Sequence, residues 1–166
     1  MRIFFFSLIF ICGYTSCLFS QEHSIVYLKT YEDAEVYIQH QSDSITVYNF
    51  WATWCGPCVE ELPLFVALQD SFQDQKLRVR LISLDNPFQW KTVLPPFLEK
   101  KQIQLPVYYL DDHKYNRWIG KVDEAWTGAI PATLVVRERD GKTFFKEEEF
   151  THQRLFTWIQ DILSTP

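Results

Sequence analysis

The chain has 166 residues, a formal net charge of -5 and 17% aromatic residues. Set aside a leader of about 20 residues and one domain with a real core remains. Lys and Arg are scattered or interleaved with acids, so nothing supplies the basic face that draws phosphate backbones, and nucleic acid is excluded as a partner class.

Arg2, an apolar run from Ile3 to about Cys12, and then small and polar residues follow the order of a secretion signal. Residues 1–20 are therefore expected to be a signal peptide or an N-terminal membrane or lipid anchor. Residues 21–166 are expected to form the folded domain, exported to the periplasm or the outer face of the cytoplasmic membrane. Three fates of the leader fit the residues. Cleavage between Ser20 and Gln21 leaves a soluble chain, with Leu18 larger than the usual small residue upstream. Thr15-Ser16-Cys17 matches the end of a lipoprotein signal, with Tyr14 where Leu is usual, and would leave Cys17 lipidated. Ile3 to Phe19, about 17 residues, is at the short end of what spans a bilayer.

After the leader, "SIVYLKTYEDAEVYIQHQ" reads as a short edge strand and a helix with Ala34, Tyr37 and Ile38 at helical spacing. "SITVYNFWA" has the β-branched and aromatic content of a buried strand, and "VEELPLFVALQDSFQ" continues as an amphipathic helix. "LRVRLISLD" is a second buried strand. "NPFQWKTVLPPFLEKKQ" predicts a helix interrupted near Pro95-Pro96, "LPVYYLDD" a short strand and "KYNRWIGKV" a short helix. "PATLVVRERDGKTFFKEEEF" predicts a hairpin turning at Asp140-Gly141, and "THQRLFTWIQDIL" a closing helix capped by Thr151. Alternating strands and helices, then a hairpin and a last helix, describe an α/β sandwich around a mixed central sheet.

The chemistry lies where the first long strand meets its helix, in "FWATWCGPCVEELP". Three residues at about 100° each put Cys55 and Cys58 on one side of a helical turn, within reach of the roughly 5.5 Å Cα separation of a disulfide. Cys55, at the helix N-terminus, gains from the unpaired N–H groups and the dipole, so its pKa is expected to fall from about 8.5 toward 7 or lower. Cys58, one turn inside, keeps its proton longer. This assigns attack to Cys55 and resolution of the mixed disulfide to Cys58. Gly56 lets another backbone approach, and Pro57 suits a first helical turn. A structural disulfide here would close only a four-residue loop, worth about 2 kcal/mol. A zinc site would need two more ligands, yet the other cysteines lie in the leader and His23, His40, His113 and His152 are dispersed. Neither metal nor cofactor is expected.

"FWATWCGPC" resembles the active site of the thioredoxin superfamily, and "NFWATWCGPCVEELP" resembles its exported TlpA/ResA-like branch, over roughly Ser24 to Leu163. The resemblance implies a thioredoxin fold with a strand-helix insertion between its halves, here about Asn86 to Gly120. It also implies thiol-disulfide exchange with protein disulfides outside the cytoplasm, as a reductant, in maturation of cytochrome c or other metalloproteins. Electrons would come from a membrane donor. Asn49 stands where cytoplasmic thioredoxins carry a buried Asp that relays protons. Glu61, three residues after Cys58 and near the same helix face, is the expected replacement, while Glu60 points to water. Ile130-Pro131 matches the superfamily's cis-proline, making the Ile130 backbone a candidate partner for an extended substrate segment. Trp54 is expected to cover the site, Phe50 and Trp51 to pack. An oxidase or isomerase is the alternative within this chemistry, because a few contacts set the potential. A redox-inert or copper-delivering module lacks an obvious His partner for the thiols. Oligomeric state is not encoded in any motif.

Overall fold

The computed structural model describes residues 25–38 and 44–165. The leader, with its three fates, lies outside the described residues. Six strands form one sheet: β1 (Ile25–Leu28), β2 (Ile45–Trp51), β3 (Leu77–Ser83), β4 (Val107–Leu110), β5 (Ala132–Arg137) and β6 (Lys142–Lys146), in spatial order β1-β4-β3-β2-β5-β6. The first four strands in that order run parallel, whereas β5 and β6 are antiparallel to their neighbours. This mixed sheet, with helices on both faces, is a thioredoxin-like α/β fold.

The helices are α1 (Tyr31–Ile38), α2 (Gly56–Ser71), α3 (Trp90–Lys101), the single turn α4 (Ile119–Val122) and α5 (His152–Ser164). Leu62, Phe65 and Leu68 of α2, Leu94 and Leu98 of α3 and Leu155, Ile159 and Ile162 of α5 bury against Val47, Trp51, Val79 and Val135 on one face of the sheet. Tyr31, Ala34 and Ile38 of α1, with Trp118, Val122 and Trp126, bury against Tyr48, Phe50, Ile82 and Leu134 on the other. β2 has helices on both sides and a strand on each edge, so all of its residues are buried, as a central strand requires. Its pleat sends Val47, Asn49 and Trp51 toward α2 and Tyr48 and Phe50 toward α1.

Two sequence expectations change. The inward stripe of α1 is Tyr31, Ala34 and Ile38, while Tyr37 is 38% exposed. At 100° per residue Tyr37 lies about 90° from the centre of that stripe. α3 is not interrupted at Pro95-Pro96 and runs on to Lys101. The prolines withhold N–H groups from the carbonyls of Lys91 and Thr92, but both residues are exposed, so water can satisfy them, and Leu94 and Leu98 hold the helix to the sheet. α3 and β4 make up the insertion, with β4 wedged between β1 and β3. The β5–β6 hairpin pairs Arg137 with Lys142 and turns at Gly141 with φ 68°. Thr151 caps α5, its hydroxyl accepting from the Arg154 N–H. Among the described residues no helix is long and apolar enough to cross a membrane.

Candidate active site

β2 ends at Trp51, and after three intervening residues the chain enters α2 through Cys55, its N-cap. Cys55 and Cys58 form a disulfide with their Cα atoms 5.3 Å apart. Cys55 retains 7% exposure while Cys58 has none, so only one sulfur of the pair meets an incoming molecule. The Cys58 N–H donates to Cys55 Sγ at 3.3 Å, which in the reduced protein favours a thiolate at Cys55. Gly56 and Pro57 are exposed beside the disulfide, and a Cβ on Gly56 would meet no atom within 4 Å, leaving that side open. Trp54 is 67% exposed next to Cys55, whereas Phe50 and Trp51 are fully buried core residues.

The opposite wall comes from the chain entering β5. The Ile130-Pro131 peptide bond is cis. The Ile130 carbonyl oxygen stands 3.8 Å from Cys55 Sγ, a van der Waals contact in the oxidised protein and an acceptor for the thiol once reduced. Ile130 is half-buried and Ala129 exposed, so the chain just before β5 can be reached from solvent.

Nearly one helical turn after Cys58 a buried polar cluster begins at Glu61. Glu61 is 1% exposed, against the alternative of a solvated helix residue, and Glu60 faces water. Glu61 Oε1 accepts from Asn49 Nδ2 at 2.8 Å and Glu61 Oε2 from the Phe150 N–H at 3.0 Å. Asn49 Nδ2 also donates to Thr133 Oγ1 at 3.3 Å, from the residue that sits opposite it in the β2–β5 register. Burial drives the Glu61 pKa up to about 7, against the opposing pull of the Phe150 and Asn49 hydrogen bonds and with a small push from the Glu149 charge. A carboxyl poised there can exchange protons near neutral pH.

Two site residues were not singled out from the sequence. Asp85, 3% exposed after β3, accepts from the Thr53 N–H at 3.0 Å, the Thr53 hydroxyl at 2.5 Å and the Ser83 hydroxyl at 2.7 Å. It ties down the segment between β2 and Cys55. Glu147, after β6, accepts from Thr127 and Ala129, in the loop that leads to Ile130.

A model of the AhpC/TSA family matches residues 23–142, and the chain belongs to that family. The chain is similar to sporulation thiol-disulfide oxidoreductase A of Bacillus subtilis, with 26% identity over 138 residues, 83% of this chain and 79% of that one. It also resembles thiol-disulfide oxidoreductase ResA of Oceanobacillus iheyensis, 27% identical over 115 residues, 69% of this chain and 55% of that one. Among solved structures, StoA from Bacillus subtilis superposes with a TM-score of 0.56 at 24% identity, covering 72% of this chain and 84% of that chain. A thioredoxin-related protein from Neisseria meningitidis superposes with a TM-score of 0.64 at 20% identity, covering 77% and 91%. These likenesses show the fold.

Proposed function

We propose that this chain is a thiol-disulfide oxidoreductase that reduces protein disulfides outside the cytoplasm, with Cys55 attacking and Cys58 resolving. The observation that carries the reading is the asymmetry of the Cys55–Cys58 disulfide, one sulfur at the surface by the Ile130 carbonyl and the other sealed. In the reduced protein the Cys55 thiolate attacks one sulfur of a substrate disulfide, forming a mixed disulfide and releasing the other substrate sulfur as a thiolate. Cys58, having lost its proton, then attacks Cys55 Sγ and the second substrate thiolate leaves. Two electrons pass to the substrate and the protein is left as the disulfide. Glu61 takes the Cys58 proton during resolution and returns one when the pair is reduced again. Trp54, Gly56, Pro57, Ile130 and Pro131 form the face that receives the substrate, an extended segment pairing with the Ile130 backbone.

The leader supports export, by signal peptide or anchor at residues 1–20, ahead of a domain at 21–166. Substrates there would be exported chains with cysteine pairs, with apocytochrome c of the CxxCH type in first place, and a membrane protein would return the electrons. The relatives named as thiol-disulfide oxidoreductases support the chemistry. The test is Cys58→Ser expressed in its own cell envelope. Without a resolving thiol the mixed disulfide persists, so adducts that vanish on reduction accumulate and identify substrate and donor. Absence of any reducible adduct, or adducts that survive further replacement of Cys55, would refute the reading.

A further inference from the structure

The Glu147 carboxylate gathers three hydrogen bonds from one short loop. Its Oε2 accepts from the Thr127 N–H at 2.9 Å, and its Oε1 accepts from the Ala129 N–H at 2.9 Å and from the Thr127 hydroxyl. Between the two amides Gly128 sits at φ 98°, a conformation that favours glycine, and this turn brings both N–H groups round to the same carboxylate. On the other side buried Trp126 donates from Nε1 to the Ala129 carbonyl at 2.8 Å. The next residue is Ile130, at 3.8 Å from the reactive sulfur. Partial burial opposes ionisation of Glu147, but the bonds from Thr127 and Ala129 outweigh it and hold its pKa below the ordinary value.

We propose that Glu147 is a positioning residue for substrate: its carboxylate fixes the Thr127–Ala129 loop so that the Ile130 backbone is already shaped to receive an extended segment of a protein disulfide. The proposal rests on the exchange reading above. Thr127, Gly128 and Ala129 are all exposed, and no apolar side chain among them anchors the loop in the core. If the loop had to be ordered at each encounter, that entropy would be lost from binding. Glu147 removes the cost beforehand, while the reacting sulfurs belong to the N-cap and first turn of α2. Glu147 thus acts on recognition of a polypeptide rather than on the sulfur chemistry.

Glu147→Gln keeps the shape of the side chain but turns an amide donor toward one of the loop N–H groups. With insulin as the protein disulfide, the variant is expected to raise KM about tenfold with little change in kcat, the pattern of lost binding. Dithiothreitol, too small to use the Ile130 edge, should reduce the Cys55–Cys58 disulfide at the wild-type rate. Thr127→Val, which keeps both backbone donors, should raise KM less. An unchanged KM in an otherwise active Glu147→Gln protein overturns the proposal alone, as does a parallel fall in the dithiothreitol rate, which would place the damage at the disulfide. A wild-type protein that leaves insulin disulfides intact overturns the exchange reading and this proposal with it.

Discussion

Asn49 donates its side-chain amide to Glu61 at 2.8 Å where neither residue meets solvent, so the acid nearly one helical turn after Cys58 is held between β2 and the backbone at Phe150. The strand thus contributes a neutral donor, Asn49, and the helix contributes the acid, Glu61. The donor matters because, among the described residues, it is one of two hydrogen bonds that oppose the effect of burial on Glu61.

Removing it has a defined direction. Asn49→Ala is expected to raise the Glu61 pKa above about 7, since the burial that raises it remains while one bond that lowers it is gone. Titration of the Glu61 carboxyl carbon by NMR, in wild type and variant, checks this. A downward shift would contradict the hydrogen-bond assignment.

Glu61 also makes stability depend on pH. Its pKa is raised from 4.5 to about 7 on folding, so between those values the folded chain holds a proton that the unfolded chain has released. The contribution is full below about 4.5 and is lost as pH rises through about 7, an order of about 3 kcal/mol. Urea midpoints of the disulfide form, measured from pH 4.5 to 8, should fall with a slope that is absent in Glu61→Gln. A wild-type curve parallel to that of the variant would rule this out.

The two thiols of the reduced protein should differ in reactivity. Cys55 is at the rim and receives the Cys58 N–H, while Cys58 is fully buried. Brief iodoacetamide treatment followed by peptide mass spectrometry is expected to find Cys55 modified at least about tenfold faster. Preferential labelling of Cys58 would exchange the roles of nucleophile and resolver.

Asp85→Ala strips three hydrogen bonds at once and frees the Thr53 N–H and hydroxyl. The expected cost is about 2 kcal/mol in urea unfolding, together with slower attack by Cys55, because Thr53 and Trp54 lead directly into the nucleophile. Wild-type stability would show that solvent replaces Asp85 without loss.

The motif, the strand before it and the helix after it were legible because each depends on neighbours in sequence: Cys55 caps the helix that contains Cys58 and Glu61. Asp85 was readable only as the end of a strand, since its partner Thr53 is brought alongside by the parallel register that sets Trp51 opposite Ser83. Glu147 is the first of three successive glutamates, and composition cannot choose among them. The choice falls to the hairpin register, in which Lys146 pairs with Thr133 and the next residue reaches the loop before Ile130. α3 misled for the opposite reason. Two prolines are a strong local stop signal, but the carbonyls they deprive lie on the solvent side, and the apolar side chains at Leu94 and Leu98 outweigh the loss.

Two indoles lead into the disulfide in contrasting surroundings, Trp51 within the apolar cluster that also holds Cys55 and Cys58 and Trp54 out in water at 67% exposure. A disulfide takes an electron readily from an excited indole, and a pair of thiols does so poorly. The molecule therefore carries its own optical gauge: emission should brighten on reduction, the buried ring contributing at the blue edge of the band and the exposed ring at the red. Equilibrating the protein against dithiol buffers in a fluorimeter would yield the potential of the pair without dye or label, and with it the direction in which electrons run.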